Sequence, residues 1–140
     1  MKPVIQKERT GCGIASVAAI AGVSYDQAKK VAASVGISAM DNRLWSDTAY
    51  VRRLLARFGR CVSSARQPFR SWEALPDCAL LAIKWHREGD RAHWHWVVCV
   101  REKGQRYVLD SKRSLRTHVR RDFGRMKPKW YLAVTQGGRD

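Results

Sequence analysis

Acidic residues are scarce in this sequence: 12 Asp and Glu stand against 27 Lys and Arg in 140 residues, a formal net charge of +15. A field of that sign draws acidic partners, whether nucleic acid, an anionic membrane surface or an acidic protein, without choosing among them. Long hydrophobic runs are missing as well. The longest apolar stretch, Ile14 to Val23, covers ten positions and includes Ser16 and Gly22, whereas a membrane span needs about 20. The opening MKPVIQKERTGC has no apolar segment ahead of a small-residue cleavage site, so no signal peptide is read and the expected location is the cytoplasm. Repeats, low-complexity tracts and linkers rich in Pro, Gly or Ser are absent too, and the expected organisation is a single domain, 1–140. With 45% hydrophobic residues the chain is not disordered, and a chain of this length buries roughly two thirds of its unfolded surface.

What is present divides the chain in two. The first sixty residues read as helices. Ile14, Val17, Ala18 and Ala21 share one helical face that Gly22 ends, and Ser24 with Gln27 is a capping box for YDQAKKVAASV, which stops at Gly36. A third helix, DTAYVRRLLARF, takes Asp47 as N-cap, Val51, Leu54, Leu55 and Phe58 as its apolar face, and Gly59 as its end. After SWEALPD, a turn or short helical piece, strands follow: CALLAIKW, a continuous apolar run suited to burial on both faces, then HWHWVVCV, RYVLD and KWYLAV, with turns at REGDRA and KGQ. Helices first and an antiparallel meander afterwards make an α+β domain with the helices packed on one face of the sheet.

Four cysteines, Cys12, Cys61, Cys78 and Cys99, form no C-x-x-C pair. Disulfides are not expected in a cytosolic protein. Cys61, Cys78 and Cys99 stand beside strand residues and read as small buried hydrophobes. Cys12 is different, because it lies between Gly11 and Gly13 at the first turn of a helix. Free backbone N–H groups and the positive dipole end favour a thiolate there, and the glycines leave room for a close approach. A catalytic thiol needs a general base, and the base needs a group to orient it. His95 lies on a central strand and Asp110 closes the next one, fifteen residues on, where a hairpin sets them side by side. Gln6, just upstream of the helix, is placed to donate to an oxyanion beside the Cys12 N–H.

The order Gln6, then Cys12-Gly13 opening a small-residue helix, then HWVV and YVLDS, resembles the papain-like cysteine peptidase superfamily. It is more closely similar to the double-glycine peptidases that process bacteriocin leaders at the N-terminus of export transporters, and to their free-standing relatives. The resemblance covers residues 4 to 135. It implies a papain-like fold and a thiol protease, with Cys12 as nucleophile, His95 as base, Asp110 as orienter and Gln6 as oxyanion donor, acting on a peptide or protein substrate without a cofactor. Two positions depart from the family pattern, Ser111 and Ile14, where Pro is frequent. The transporter segments that accompany leader cleavage are not in this sequence, so substrate identity does not carry over with the fold. Peptide cleavage, deamidation and acyl transfer would all use this apparatus.

His93 competes with His95 for the base, since both point to one strand face. His95 is preferred because WVV follows it directly. The H-x-H pair lacks a carboxylate or thiol at ligand spacing, and no metal site is expected. His86 and His118 read as surface residues. Trp94 and Trp96, on the face opposite the two histidines, read as core, while Trp45 and Trp72 either line a groove or pack under the helices.

From Ser111 to Lys129 the chain carries eight Lys or Arg and one acid, Asp122. This segment reads as a solvated surface or as a docking face for an acidic partner near Asp110. It also supports an alternative function, a basic nucleic-acid-binding module on the same scaffold, with Arg120 and Arg121 as phosphate contacts and Trp130 and Tyr131 for stacking. The tail TQGGRD holds a double glycine of the type the family cleaves after, and reads more simply as a frayed terminus.

Overall fold

The structure is a computed structural model that describes residues 1–136. The double glycine Gly137–Gly138 lies outside the described residues. Helix α1 (Cys12–Ala21) ends where Gly22 turns to φ 74°, its N–H capping the Ala18 and Ala19 carbonyls. Helix α2 (Tyr25–Ser34) opens on the full capping box, with both Ser24 and Gln27 side chains engaged. Helix α3 (Ala49–Arg57) is capped one residue later than the sequence suggests, at Thr48. Asp47 still serves that end, because its Oδ1 accepts the Ala49 N–H at 2.8 Å. A 3-10 turn at Asn42–Ser46, not foreseen in the sequence, precedes it.

The strands are β1 (Arg60–Val62), β2 (Gln67–Pro68), β3 (Cys78–Glu88), β4 (Arg91–Glu102), β5 (Gln105–Leu109), β6 (Val119–Arg120) and β7 (Trp130–Gln136), with a short helix α4 (Phe123–Met126) before the last. All pair antiparallel in the order β1-β7-β3-β4-β5-β6, with β2 also on β7. The expected meander holds over β3, β4 and β5, and β6 adds a further strand at its edge. Strand β7 returns across the sheet to lie between β1 and β3.

Period-two alternation splits the apolar strand residues between two cores. Leu80, Trp96, Val98 and Leu132 pack with Ile14, Val17, Leu54 and Leu55 under the helices. Leu81, Ile83, Val97 and Val108 face the other way and are covered by Leu75, Met126 and the rings of Phe69, Trp72 and Phe123. The Trp72 ring meets Phe69 edge-on and Phe123 at a tilt, with centroids 5.1 and 4.8 Å away, against this second core and not under the helices. Trp94, Trp96 and Trp130 meet edge to face on the helix side, with centroids 4.9 to 5.8 Å apart. Cys99 and Cys78 are buried and half-buried as expected, but Cys61 is exposed. Among the described residues, no helix is long and apolar enough to cross a membrane.

Two features of this sheet shape what lies at its end. The β3–β4 pairing is regular from Cys78↔Val100 to Ile83↔His95 and then shifts through a bulge before His86↔His93. The β4–β5 ladder stops at Val98↔Leu109. His95 and Asp110 thus sit just where each pairing gives out, and α1 enters at that point.

Candidate active site

Cys12 is the first residue of α1 and 1% exposed. Gly11, the N-cap, offers no capping side chain, and the first turn holds no acid. The N-terminal amides are therefore free to face a negative sulfur. The Trp96 N–H, beyond the last β4–β5 pair, points at Cys12 Sγ at 3.5 Å. The two glycines have a reason the sequence did not reveal. A Cβ at Gly13 would stand 2.0 Å from the Tyr50 hydroxyl, and one at Gly11 would stand 2.2 Å from that of Tyr25. The space they leave is filled by tyrosine rings that fix the start of the helix. Burial, and then the neighbouring Cys12 charge, push the Tyr50 hydroxyl well above the ordinary tyrosine range.

His95 Nε2 donates to Asp110 Oδ1 at 2.7 Å. Burial works against the imidazolium. The Asp110 carboxylate and the Cys12 sulfur outweigh it and raise His95 to about 9. Asp110 is 1% exposed, and burial alone would raise its carboxyl. His95, the Lys112 N–H at 3.1 Å and Arg120 hold it down at about 2. At neutral pH the two form a charged pair, with His95 carrying a proton next to the sulfur.

Arg120 was not legible as part of this site. Its Nη1 reaches Asp110 Oδ2 at 2.9 Å, while Nε and Nη2 fork onto Asp122 at 3.0 and 2.7 Å. Its side chain is 15% exposed. Arg120, suggested as a phosphate contact, has its guanidinium engaged by two carboxylates. His118 is likewise not a free surface residue: it is half-buried, and its Nδ1 lies 2.9 Å from the Asp110 carbonyl.

Gln6 is buried and lines an open cleft of about 480 Å³ together with Trp45, Lys84, His95, Lys112 and Arg113. Its backbone N–H donates to the Ser111 carbonyl at 3.0 Å, and its Oε1 accepts the Ser111 hydroxyl at 2.8 Å. Ser111, a departure from the family pattern, thus ties the end of β5 to the Gln6 loop. The Gln6 amide nitrogen donates to the Glu8 and Arg9 carbonyls at 2.9 and 3.1 Å. Oxyanion donation from this group requires one of those bonds to be given up.

His93 lies apart from Asp110. Its Nδ1 is 3.2 Å from Ser46 Oγ, its Nε2 is 3.4 Å from Glu88, and its ring stacks on His86. Among the described residues no group of three or more His, Cys, Asp or Glu is arranged to hold a metal ion.

The N-terminal helical layer on an antiparallel sheet matches a papain-like peptidase fold. Among solved structures the chain is similar to a double glycine motif protease from an AMS/PCAT transporter, determined in complex with the leader peptide, with TM-score 0.61, 18% identity, and coverage of 95% of this chain and 89% of that one. No protein-family model matches the chain, and no curated protein matches it.

Proposed function

We propose that this protein is a single-domain cysteine peptidase, 1–140, acting on a peptide or protein substrate. The observation that carries the reading is the buried His95–Asp110 pair at 2.7 Å, with its imidazolium in contact with a thiol at the first turn of α1. Cys12 Sγ attacks the carbonyl carbon of the scissile amide. The oxyanion takes the Cys12 N–H and one N–H of Gln6, turned from its loop carbonyls. His95 gives its proton to the leaving amine nitrogen, leaving a thioester. Water then attacks the thioester carbon, His95 takes the water proton, and the thiolate is released with the acid product. Asp110, clamped by Arg120, keeps the ring in the orientation for both transfers. Four unpaired thiols fit a reducing compartment, and we place the protein in the cytoplasm.

The test is alkylation of Cys12 by iodoacetamide, mapped by peptide mass, together with hydrolysis of a peptide library by wild type and Cys12→Ala. Preferential labelling of Cys12 over exposed Cys61, slowed in His95→Ala, and turnover absent from the alanine variant are expected. Labelling of Cys12 no faster than Cys61, or undiminished turnover without it, overturns the reading.

A further inference from the structure

The cleft beside His95 is more basic than amide cleavage requires. Lys7, Arg9, Lys84, Lys112 and Arg113 line it, against one acid, Glu8. The Glu8 carboxylate is already held by Lys29 at 2.5 Å and by the Tyr25 hydroxyl. Lys7 is paired with Asp26 at 2.9 Å. Among the described residues this leaves Arg9, Lys84, Lys112 and Arg113 with no carboxylate partner. The Arg9 guanidinium lies over the Trp45 ring, 5.5 Å from its centroid, and both residues line the cleft.

Lys84 and Lys112 meet in this cleft, both lining it together with His95. Partial desolvation and then the Lys112 cation hold the Lys84 ammonium below the usual lysine range, with Asp110 opposing. The backbone is arranged to produce this meeting. Lys84 follows Ile83, the register partner of His95, and sits in the bulge of β3 with φ 55°. A bulge re-aims a side chain, and a left-handed lysine inside a strand is a strained backbone position. Lys112 is two residues past Asp110 and lends its N–H to that carboxylate. Two like charges are thus brought into the one cleft that His95 also lines.

We propose that the Lys84–Lys112 pair is a subsite for a carboxylate side chain of the substrate, so that the protein acts on peptide segments with Asp or Glu close to the scissile bond. The proposal rests on the peptidase reading. One carboxylate between two ammonium groups replaces a repulsion by two attractions. A nucleic-acid backbone fits less well: it needs a continuous run of free cations, and Arg120, within the same basic segment, is already paired with Asp110 and Asp122.

The experiment uses two probes on the whole protein. The first is the ratio of Cys12 alkylation rates by iodoacetate and iodoacetamide at low salt, with Cys61 as internal reference. The second is protection of Cys12 from iodoacetamide by acetyl-Gly-Glu-Glu-Gly amide compared with its Gln-Gln counterpart. Wild type should show a raised ratio and protection by the glutamate peptide alone. In Lys84→Gln/Lys112→Gln the ratio should fall about 3–10-fold and the protection should vanish, while Lys84→Arg/Lys112→Arg keeps both. A ratio equal in wild type and the Gln variant overturns the proposal. So does protection by inorganic phosphate or an oligonucleotide with none by the glutamate peptide. Slow reaction of Cys12 with iodoacetamide in every variant indicts the nucleophile instead, and the ratio still reads the lysines.

Discussion

Cys12 and Cys99 are both free, both buried, at 1% and 0% exposure, and both have a cation close at hand. Cys99 sits in mid-strand on β4 with Arg106 Nη1 3.2 Å from its sulfur. Even so, burial raises its thiol, and Arg106 only moderates the rise. Cys78, nearby, is pushed up to about 11, chiefly by burial. Neither has a group that can take and return a proton, because a guanidinium never deprotonates. Cys12 has His95, which can, and lies at a helix N-terminus beside a cleft. What distinguishes Cys12 from Cys99 is the neighbouring proton carrier and the helix start, not burial or nearby positive charge.

The comparison breaks most sharply at the sulfur itself. Cys12→Ala is expected to reduce peptide turnover at least about 10³-fold with an unchanged far-UV spectrum, whereas Cys99→Ala should retain turnover and lose about 1–2 kcal/mol in a urea melt. Equal effects of the two would remove the distinction. Next in size is Asp110→Asn, which frees the His95 tautomer. A loss of about 10²–10⁴-fold in kcat, with Cys12 alkylation slowed, is expected from rapid-quench and labelling kinetics.

A smaller effect concerns the frame that holds the thiol. Gly13→Ala drives a methyl into Tyr50 and should cost about 1–3 kcal/mol, read as a lower urea midpoint. Gly22→Ala, at a left-handed cap with open space around it, should cost less, about 1 kcal/mol. The smallest effect is on pH. His95 is raised to about 9, so its contribution to stability is complete below about 6.5 and fades as pH climbs through 9. Asp110 is held at about 2, so its share is complete above about 3.9 and is lost as pH falls toward 2. Thermal melts of wild type should fall at both ends relative to the middle, and Asp110→Asn should flatten both. An identical alkaline decline in that variant counts against the pair.

Much of this architecture could be read from the sequence where local chemistry is strong. Ser24 with Gln27 and the glycines at 22 and 36 fix two helices by themselves. The strand cores were visible as alternation and apolar runs. What escaped depends on non-local partners. No pattern in residues 130–136 says that β7 inserts between β1 and β3. Val119 and Arg120 pair with β5 over two residues only, too few for a periodic signal. At the site, Cys12, His95, Asp110 and Gln6 could be singled out because their residue types carry chemistry. The contacts that Arg120, Ser111, Tyr50 and Lys84 make there could not be read, because each matters through what it touches. The Asp122 that shares Arg120 gave a faint hint, being the one acid in the basic segment.

The placement of β7 also sets the order of assembly. Its register partners, Arg60–Val62 on one side and Ala79–Ala82 on the other, precede it by 72 to 76 and by 48 to 54 residues. Until Trp130–Gln136 docks, β3 presents an open apolar edge, and the aromatic cluster lacks Trp130. Contacts of such separation form late and slowly. A nascent or nicked chain without this strand would expose an edge suited to pairing with a second chain, so self-association is the expected fate of an incomplete copy.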